Sequence, residues 1–184
     1  PDLVRELYDE LGFTPEDKNI YIGFLNLLKE QFDLSDKRIL EVGGGAIPRL
    51  GKRISCHLTS GHITIYDPRL SKHEENTEHM TLVRRGFRST DSIGKTNLMI
   101  ALMPCEAAET VIEAATQNQV DFMLAFCEGG PHGDEFDYFQ DEEEWLNSML
   151  HLADCSIKEN KMGKMKMKYL HEYGDTYPII YNER

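Results

Sequence analysis

The chain has 184 residues, 40% of them hydrophobic and 28% charged, which suits one soluble domain with a sizeable core. Its 20 Lys and Arg against 32 Asp and Glu give a net charge of −12, which argues against binding to a bulk polyanion such as nucleic acid. No apolar run approaches the ~18 residues of a membrane span. The four cysteines, Cys56, Cys105, Cys127 and Cys155, lie too far apart to form the close pairs of a zinc site, so no metal is expected. Cys105 and Cys127 fall near strand ends and read as buried thiols. With no signal-peptide pattern at Pro1-Asp2-Leu3, these cysteines set the expectation of a reducing, cytoplasmic compartment.

In chain order, Asp2 to Leu11 has helical spacing ended by Gly12, and Asn19 to Phe32 is a second amphipathic helix with Ile20, Phe24, Leu27, Leu28 and Phe32 on its apolar side. Arg38 to Val42 is a short buried strand that runs into Gly43-Gly44-Gly45, and Pro48 is expected to open a helix toward Leu58. Ile63 to Tyr66 is a second strand, with Asp67 at its carboxyl end. Ser71 to Glu78 is a candidate short helix, Met80 to Arg84 a third strand, and Leu98 to Leu102 a fourth, apolar throughout. Glu106 to Gln117 follows Pro104 as a helix, and Val120 to Phe126 is the fifth strand. Asp141 to Leu152 is a helix with an acidic start suited to the helix dipole and with Trp145, Leu146 and Leu150 facing inward.

From Cys155 to Arg184 the chain reads as two or three strands, with a turn at Gly174-Asp175. Lys164-Met165-Lys166-Met167-Lys168 alternates as a strand with one apolar and one solvated face. Together with Lys158 and Lys161 it forms a basic cluster. A lysine-protected strand near the sheet edge explains it better than a polyanion site does.

Glycines let the backbone approach a ligand closely, and a carboxylate at the tip of the next strand can accept hydrogen bonds from ribose hydroxyls. The run Leu40-Glu41-Val42-Gly43-Gly44-Gly45, followed by Asp67 at the end of the second strand, resembles the first two motifs of class I S-adenosylmethionine-dependent methyltransferases. The resemblance covers roughly Asn19 to Gly133. One departure is visible: where the family commonly has a further glycine, this chain has Ile47, followed by Pro48. The resemblance implies a cofactor site that includes Glu41, Gly43, Gly44, Gly45, Asp67, Pro68, Phe87, Leu102, Met103 and Pro104. Glu41 would support the glycine loop and the amino-acid end of the cofactor, Phe87 would meet the adenine ring, and Leu102 to Glu106 would face the methyl group. Helices before the first strand often cover the cofactor in this family, which places Tyr21 within reach, although an aromatic on such a helix also serves as core.

A nicotinamide or flavin dinucleotide site is the rival reading. Its Gly-x-Gly-x-x-Gly fingerprint would put the third, close-packing glycine at Pro48, and an acidic residue in the position of Glu41 is unusual for it. A tight turn without a ligand is a further alternative, but three successive glycines are costly there, at roughly 0.5–1 kcal/mol each. A non-catalytic binding module of the same fold is another.

Methyl transfer relies mainly on alignment, and it needs a base only if the acceptor must lose a proton early. The loop Leu102-Met103-Pro104-Cys105-Glu106 does not match the Asp/Asn/Ser-Pro-Pro-aromatic motif of amino methyltransferases acting on DNA or glutamine, so no catalytic residue is assigned. Glu106 and His132 are the base candidates, each with a plainer role as a helix-start carboxylate or a turn residue. A metal site at His132, Asp134 and Asp137 is outweighed by a solvated acidic loop.

The expectation is therefore an α/β fold. A single Rossmann-like doubly wound sheet, mostly parallel, carries an antiparallel strand pair at its C-terminal end, with N-terminal helices (1–35) covering one end of one domain spanning 1–184. The expected activity is S-adenosylmethionine-dependent methylation of a small-molecule or protein acceptor.

Overall fold

The computed structural model describes residues 19–127, 142–172 and 175–184. The expected first helix, the loop holding His132, Asp134 and Asp137, Asp141 at the start of the later helix, and Gly174 of the final turn lie outside these residues.

Helix α1 (Ile20–Gln31) begins where the side chain of Asn19 accepts hydrogen bonds from the N–H groups of Tyr21 and Ile22, a side-chain N-cap. It buries Ile20, Phe24, Leu25, Leu27 and Leu28, and Tyr21 packs against that core as a partly buried neighbour. Strand β1 (Arg38–Val42) leads to α2 (Arg49–Ser55), and β2 (His62–Tyr66) is followed by β3 (Met80–Val83) and β4 (Leu98–Leu102). A 3₁₀ turn (Cys105–Ala107) precedes α3 (Ala108–Gln117). After β5 (Asp121–Ala125) come α4 (Glu142–Glu159), β6 (Lys164–Glu172) and β7 (Asp175–Glu183).

The strands form one seven-stranded sheet in the order β3-β2-β1-β4-β5-β7-β6. All pairs from β3 to β5 are parallel, while β7 runs antiparallel to both β5 and β6. Period-two alternation sends Leu98, Ile100 and Leu102 into the core under α1 and α2, and Met99 and Ala101 into the core under α3 and α4. Both faces are covered, so the central strands carry no polar alternation. This is the doubly wound sheet with an antiparallel end that the chain order of elements implies.

Several boundaries differ from expectation. Pro48 is the residue before α2 rather than its first residue, and α2 ends at Ser55 rather than near Leu58. No helix forms over Ser71 to Glu78. That segment is turns and an isolated bridge between Thr77 and Met80, held in part by Asn76 accepting from the N–H of Leu82 and by Arg84 donating to the carbonyls of Ser71 and Glu74. The helix expected from Glu106 opens instead with the 3₁₀ turn.

Helix α4 continues to Glu159, past Leu152, so Cys155 begins no strand. Trp145, Met149, Ala153 and Ile157 repeat every four residues and are all buried, but the polar residues between them hide this stripe in the sequence. The final region holds two strands, β6 and β7. β6 is an edge strand whose lysines are exposed as expected. Its other face is not a uniform apolar surface, since Met165 is half-buried while Met167 and Tyr169 are 44% and 54% exposed. Among the described residues, no helix is long and apolar enough to cross a membrane.

Candidate functional site

The order of the strands reverses between β1 and β4, and in open α/β sheets that crevice, outside the carboxyl ends of the strands, is where ligands bind. A cavity of about 580 Å³ opens there. Its lining comes from the ends of β1 (Val42, Gly43) and β2 (Tyr66 to Arg69), the segment after β3 (Gly86, Phe87) and the segment after β4 (Met103 to Ala107 and Thr110). Of the residues expected to form a cofactor site, Gly43, Asp67, Pro68, Phe87, Met103 and Pro104 meet in this cavity. Glu41, Gly44, Gly45 and Leu102 do not line it. Leu102 is buried in the core, Gly44 packs on β2, and Glu41 lies beneath the turn.

The turn after β1 explains the three glycines. The N–H of Gly43 still donates to the carbonyl of Tyr66 (2.8 Å), extending the β1–β2 ladder by one residue. Gly43 then takes φ +82°, and a Cβ there would stand 3.2 Å from Cα of Pro104. A Cβ on Gly44 would stand 2.4 Å from a methyl carbon of Ile65. Gly45 takes φ +78° and donates its N–H to Asp67 Oδ2 at 2.8 Å. The turn is thus fastened to the end of β2 by the same carboxylate that sits in the cavity.

Asp67 is buried. Its Oδ1 accepts from the N–H of Arg69 (2.7 Å) and from Arg69 Nε (3.3 Å), while Oδ2 also receives Arg69 Nη2 (3.2 Å). Burial alone would raise the pKa of this carboxyl. The hydrogen bonds from Arg69 and Gly45 outweigh it and hold the group below its ordinary value, as an anion. The Arg69 side chain is 75% exposed at the mouth, so it can swing away and free acceptor positions on Asp67.

Tyr66 and Phe87 meet edge to face, centroids 5.3 Å apart at 79°. Arg85 lies over the Tyr66 ring at 5.2 Å and is paired with Asp91. The aromatic pair gives the cavity an apolar wall. Beyond it, the segment after β4 holds two non-glycine residues in the left-handed region, Met103 (φ 53°) and Cys105 (φ 50°). Backbone strain of this kind gathers at ligand sites. Glu106, exposed in the 3₁₀ turn, also lines the cavity.

Glu41 is 1% exposed, and its Oε2 has no hydrogen-bond partner among the described residues. It faces α2, where the absence of a side chain on Gly51 makes room: a Cβ there would lie 2.6 Å from Oε2 and 2.2 Å from Ile65 Cδ1. Burial, reinforced by the charge of Asp67, pushes the Glu41 carboxyl up to about 8 from 4.5.

A raised acid pKa means that the folded protein holds this proton more tightly than the unfolded chain does. The resulting stability is fully present below pH 4.5 and is lost as pH rises toward 8. Glu41→Gln should therefore remove this part of the pH dependence and stabilise the protein at pH 8.5 by about 1–3 kcal/mol, the scale of a buried unsatisfied group. Urea unfolding at pH 5.5 and 8.5 checks this, and an unchanged pH slope in the variant would contradict it.

Sequence reasoning placed Asp67 to Arg69 at this end of the sheet but missed Tyr66, Gly51, the ion pair of Arg69 with Asp67 and the pairing of Cys105 with Cys127. Tyr66 had a signal, because strand alternation turns it away from Ile65 and toward the face where Phe87 packs. Gly51, inside a helical segment, was a second usable signal for close approach.

No protein-family model and no curated protein matches the chain. Solved structures do. Precorrin-6y C5,15-methyltransferase from Geobacter metallireducens is similar over 86% of this chain and 87% of its own, at 10% identity and TM-score 0.53. Magnesium protoporphyrin IX methyltransferase from Synechocystis PCC 6803, solved with S-adenosylmethionine bound, is similar over 88% and 76%, at 11% identity and TM-score 0.56. Fibrillarin from Aeropyrum pernix, with the same molecule natively bound, is similar over 83% and 69%, at 12% identity and TM-score 0.53. The chain has the fold of the class I S-adenosylmethionine-dependent methyltransferases.

Proposed function

We propose that this chain binds S-adenosylmethionine in the cavity between β1 and β4 and transfers its methyl group to a small-molecule or protein acceptor. The observation that carries this reading is Asp67, a buried anion at the end of β2 that is hydrogen-bonded to the glycine turn after β1 and faces the cavity. A carboxylate so placed suits ribose hydroxyls, and the neighbouring Tyr66–Phe87 wall suits an adenine ring. Four of the similar structures carry S-adenosylmethionine or its demethylated product.

When bound, the cofactor supplies an electrophilic methyl group on a sulfonium. In this proposal Asp67 orients the ribose as Arg69 gives up part of its contact. Pro68 and Phe87 bound the adenine, and Gly43, Met103 and Pro104 set the width of the cleft. Glu41, Gly44 and Gly45 hold the turn from below and behind, and Leu102 anchors the loop from the core. Glu106 is the base candidate that lies in the cavity wall, for an acceptor that must lose a proton. A reducing, cytoplasmic setting and a single domain over 1–184 belong to the same proposal.

Radiolabelled S-adenosylmethionine incubated with small-molecule and protein pools tests the activity. Label should appear in one of these fractions. Tight cofactor binding without transfer to any pool would make the chain a binding module instead.

The acceptor is not expected to be nucleic acid. Lys166 pairs with Glu183 (3.2 Å) and Lys168 with Glu30 (3.7 Å), so the basic strand is partly neutralised in place, whereas phosphate tracking needs several basic groups on one face. A low-salt gel shift with DNA and RNA should show no complex at micromolar protein. Salt-sensitive binding that disappears when Lys164, Lys166 and Lys168 become Ala would reverse this assignment.

A further inference from the structure

Cys105 and Cys127 are 22 residues apart in sequence, yet their sulfurs are 3.0 Å apart. The register of β4 on β5 causes this. Leu102 is paired with Ala125, and the N–H of Met103 donates to the carbonyl of Ala125 (2.8 Å), so both chains leave the sheet side by side and their cysteines converge just beyond its edge. Both residues are partly exposed and carry free thiols. A disulfide has sulfurs about 2.05 Å apart, so bond formation asks for an approach of about 1 Å. Cys105 also lines the cavity at φ 50°.

We propose that Cys105 and Cys127 form a reversible disulfide under hydrogen peroxide, and that this bond makes ligand binding in the cavity redox-sensitive. The Cys105 thiolate attacks the peroxide oxygen, the O–O bond breaks, and a sulfenic acid and hydroxide (water after protonation) result. Cys127 then attacks the sulfenyl sulfur, the S–S bond forms, and the sulfenyl hydroxyl leaves as water with the Cys127 proton. Two thiols are oxidised and one peroxide is reduced to two waters.

Burial, with the neighbouring Cys105 adding to it, pushes the Cys127 thiol up to about 12. It therefore stays protonated near neutrality, which suits the resolving partner rather than the attacking one. Among the described residues, no group of three or more His, Cys, Asp and Glu could hold a metal, and none of them gives the pair a third ligand. Disulfides in reducing compartments are usually transient and redox-sensing, which suits a pair at the rim of a binding site.

The bond would pull Cys105, and with it the Met103-Pro104-Cys105 segment whose outer two residues are left-handed, toward the end of β5. The effect on ligand binding rests on the cofactor reading above, whereas the disulfide itself does not. The experiment separates the two. Reduced protein is treated with hydrogen peroxide, free thiols are alkylated, and peptides are mapped by mass spectrometry. S-adenosylhomocysteine affinity is measured before treatment, after it, and after dithiothreitol.

A Cys105–Cys127 cross-linked peptide is expected, with affinity reduced at least about fivefold and restored by dithiothreitol. Cys127→Ser should bind like the reduced parent and should not lose affinity reversibly on peroxide treatment. Absence of the cross-link, or a cross-link that leaves affinity unchanged, overturns the proposal. If the reduced protein binds no S-adenosylhomocysteine, the cofactor reading fails and with it the redox control of binding, while the peptide map still reports on the disulfide.

Discussion

Gly43→Val abolishes measurable S-adenosylhomocysteine binding, a loss of at least about 100-fold, while the protein still folds. Two effects combine at this position. The backbone sits at φ +82°, and a left-handed conformation costs an L-residue roughly 1–2 kcal/mol. The new Cβ also stands 3.2 Å from Cα of Pro104, so the branched methyls must enter the cleft or drive the β1 turn and the β4 loop apart. About 2.8 kcal/mol of lost binding energy is already a hundredfold.

The neighbouring glycines behave differently. Gly44→Val places its Cβ 2.4 Å from Ile65 Cγ2 and should destabilise the fold itself. Gly45 has φ +78° and no close neighbour, its nearest being the carbonyl oxygen of Ile47 at 3.9 Å. Valine there should therefore weaken binding mainly through backbone strain and a loosened hydrogen bond to Asp67. Thermal unfolding beside calorimetry separates the three. Undiminished affinity in a folded Gly43→Val protein would move the site elsewhere.

Asp67→Ala weakens S-adenosylhomocysteine by about 1.5–3 kcal/mol, the range for hydrogen bonds to a charged group, which is roughly tenfold to 150-fold. The carboxylate has two duties, toward a ligand and toward the N–H of Gly45, so Ala removes a turn anchor as well as a ribose acceptor. Asp67→Asn distinguishes them, because its amide oxygen can still accept from Gly45 while the negative charge is gone. If Asn binds as weakly as Ala, the charge presented to the ligand matters most. If Asn recovers most of the affinity, the anchor does. Equal affinity in parent and both variants would remove Asp67 from the site.

β1, β4 and β5 were legible because each is a short, mostly apolar run next to turn chemistry, the pattern that burial on both faces demands, and β2 and β3 because their buried residues alternate with half-buried ones. The glycine turn and Asp67 were legible because close backbone approach and a strand-end carboxylate leave few alternative residue types. What stayed hidden arises from tertiary placement. Register alone brings Cys105 to Cys127, and nothing in either flanking sequence records it. Arg69 follows Asp67 by two residues, but only the fold of the turn lets it bind both carboxylate oxygens. The last turns of α4 were masked by His151, Asp154 and Lys158, polar residues that flank buried Ala153 and Ile157. The segment Ser71 to Glu78 is polar enough for a helix surface, but it buries no continuous stripe, and a short helix without one is marginal.

Isothermal titration of the purified, reduced protein with S-adenosylhomocysteine and, separately, with NAD tests the central claim most directly. The two ligands share adenine and ribose and differ in the group beyond, so the comparison reads the cavity rather than a general taste for nucleosides. One saturable site for S-adenosylhomocysteine and no heat of binding for NAD is the predicted result. Saturable NAD binding with no response to S-adenosylhomocysteine would contradict it.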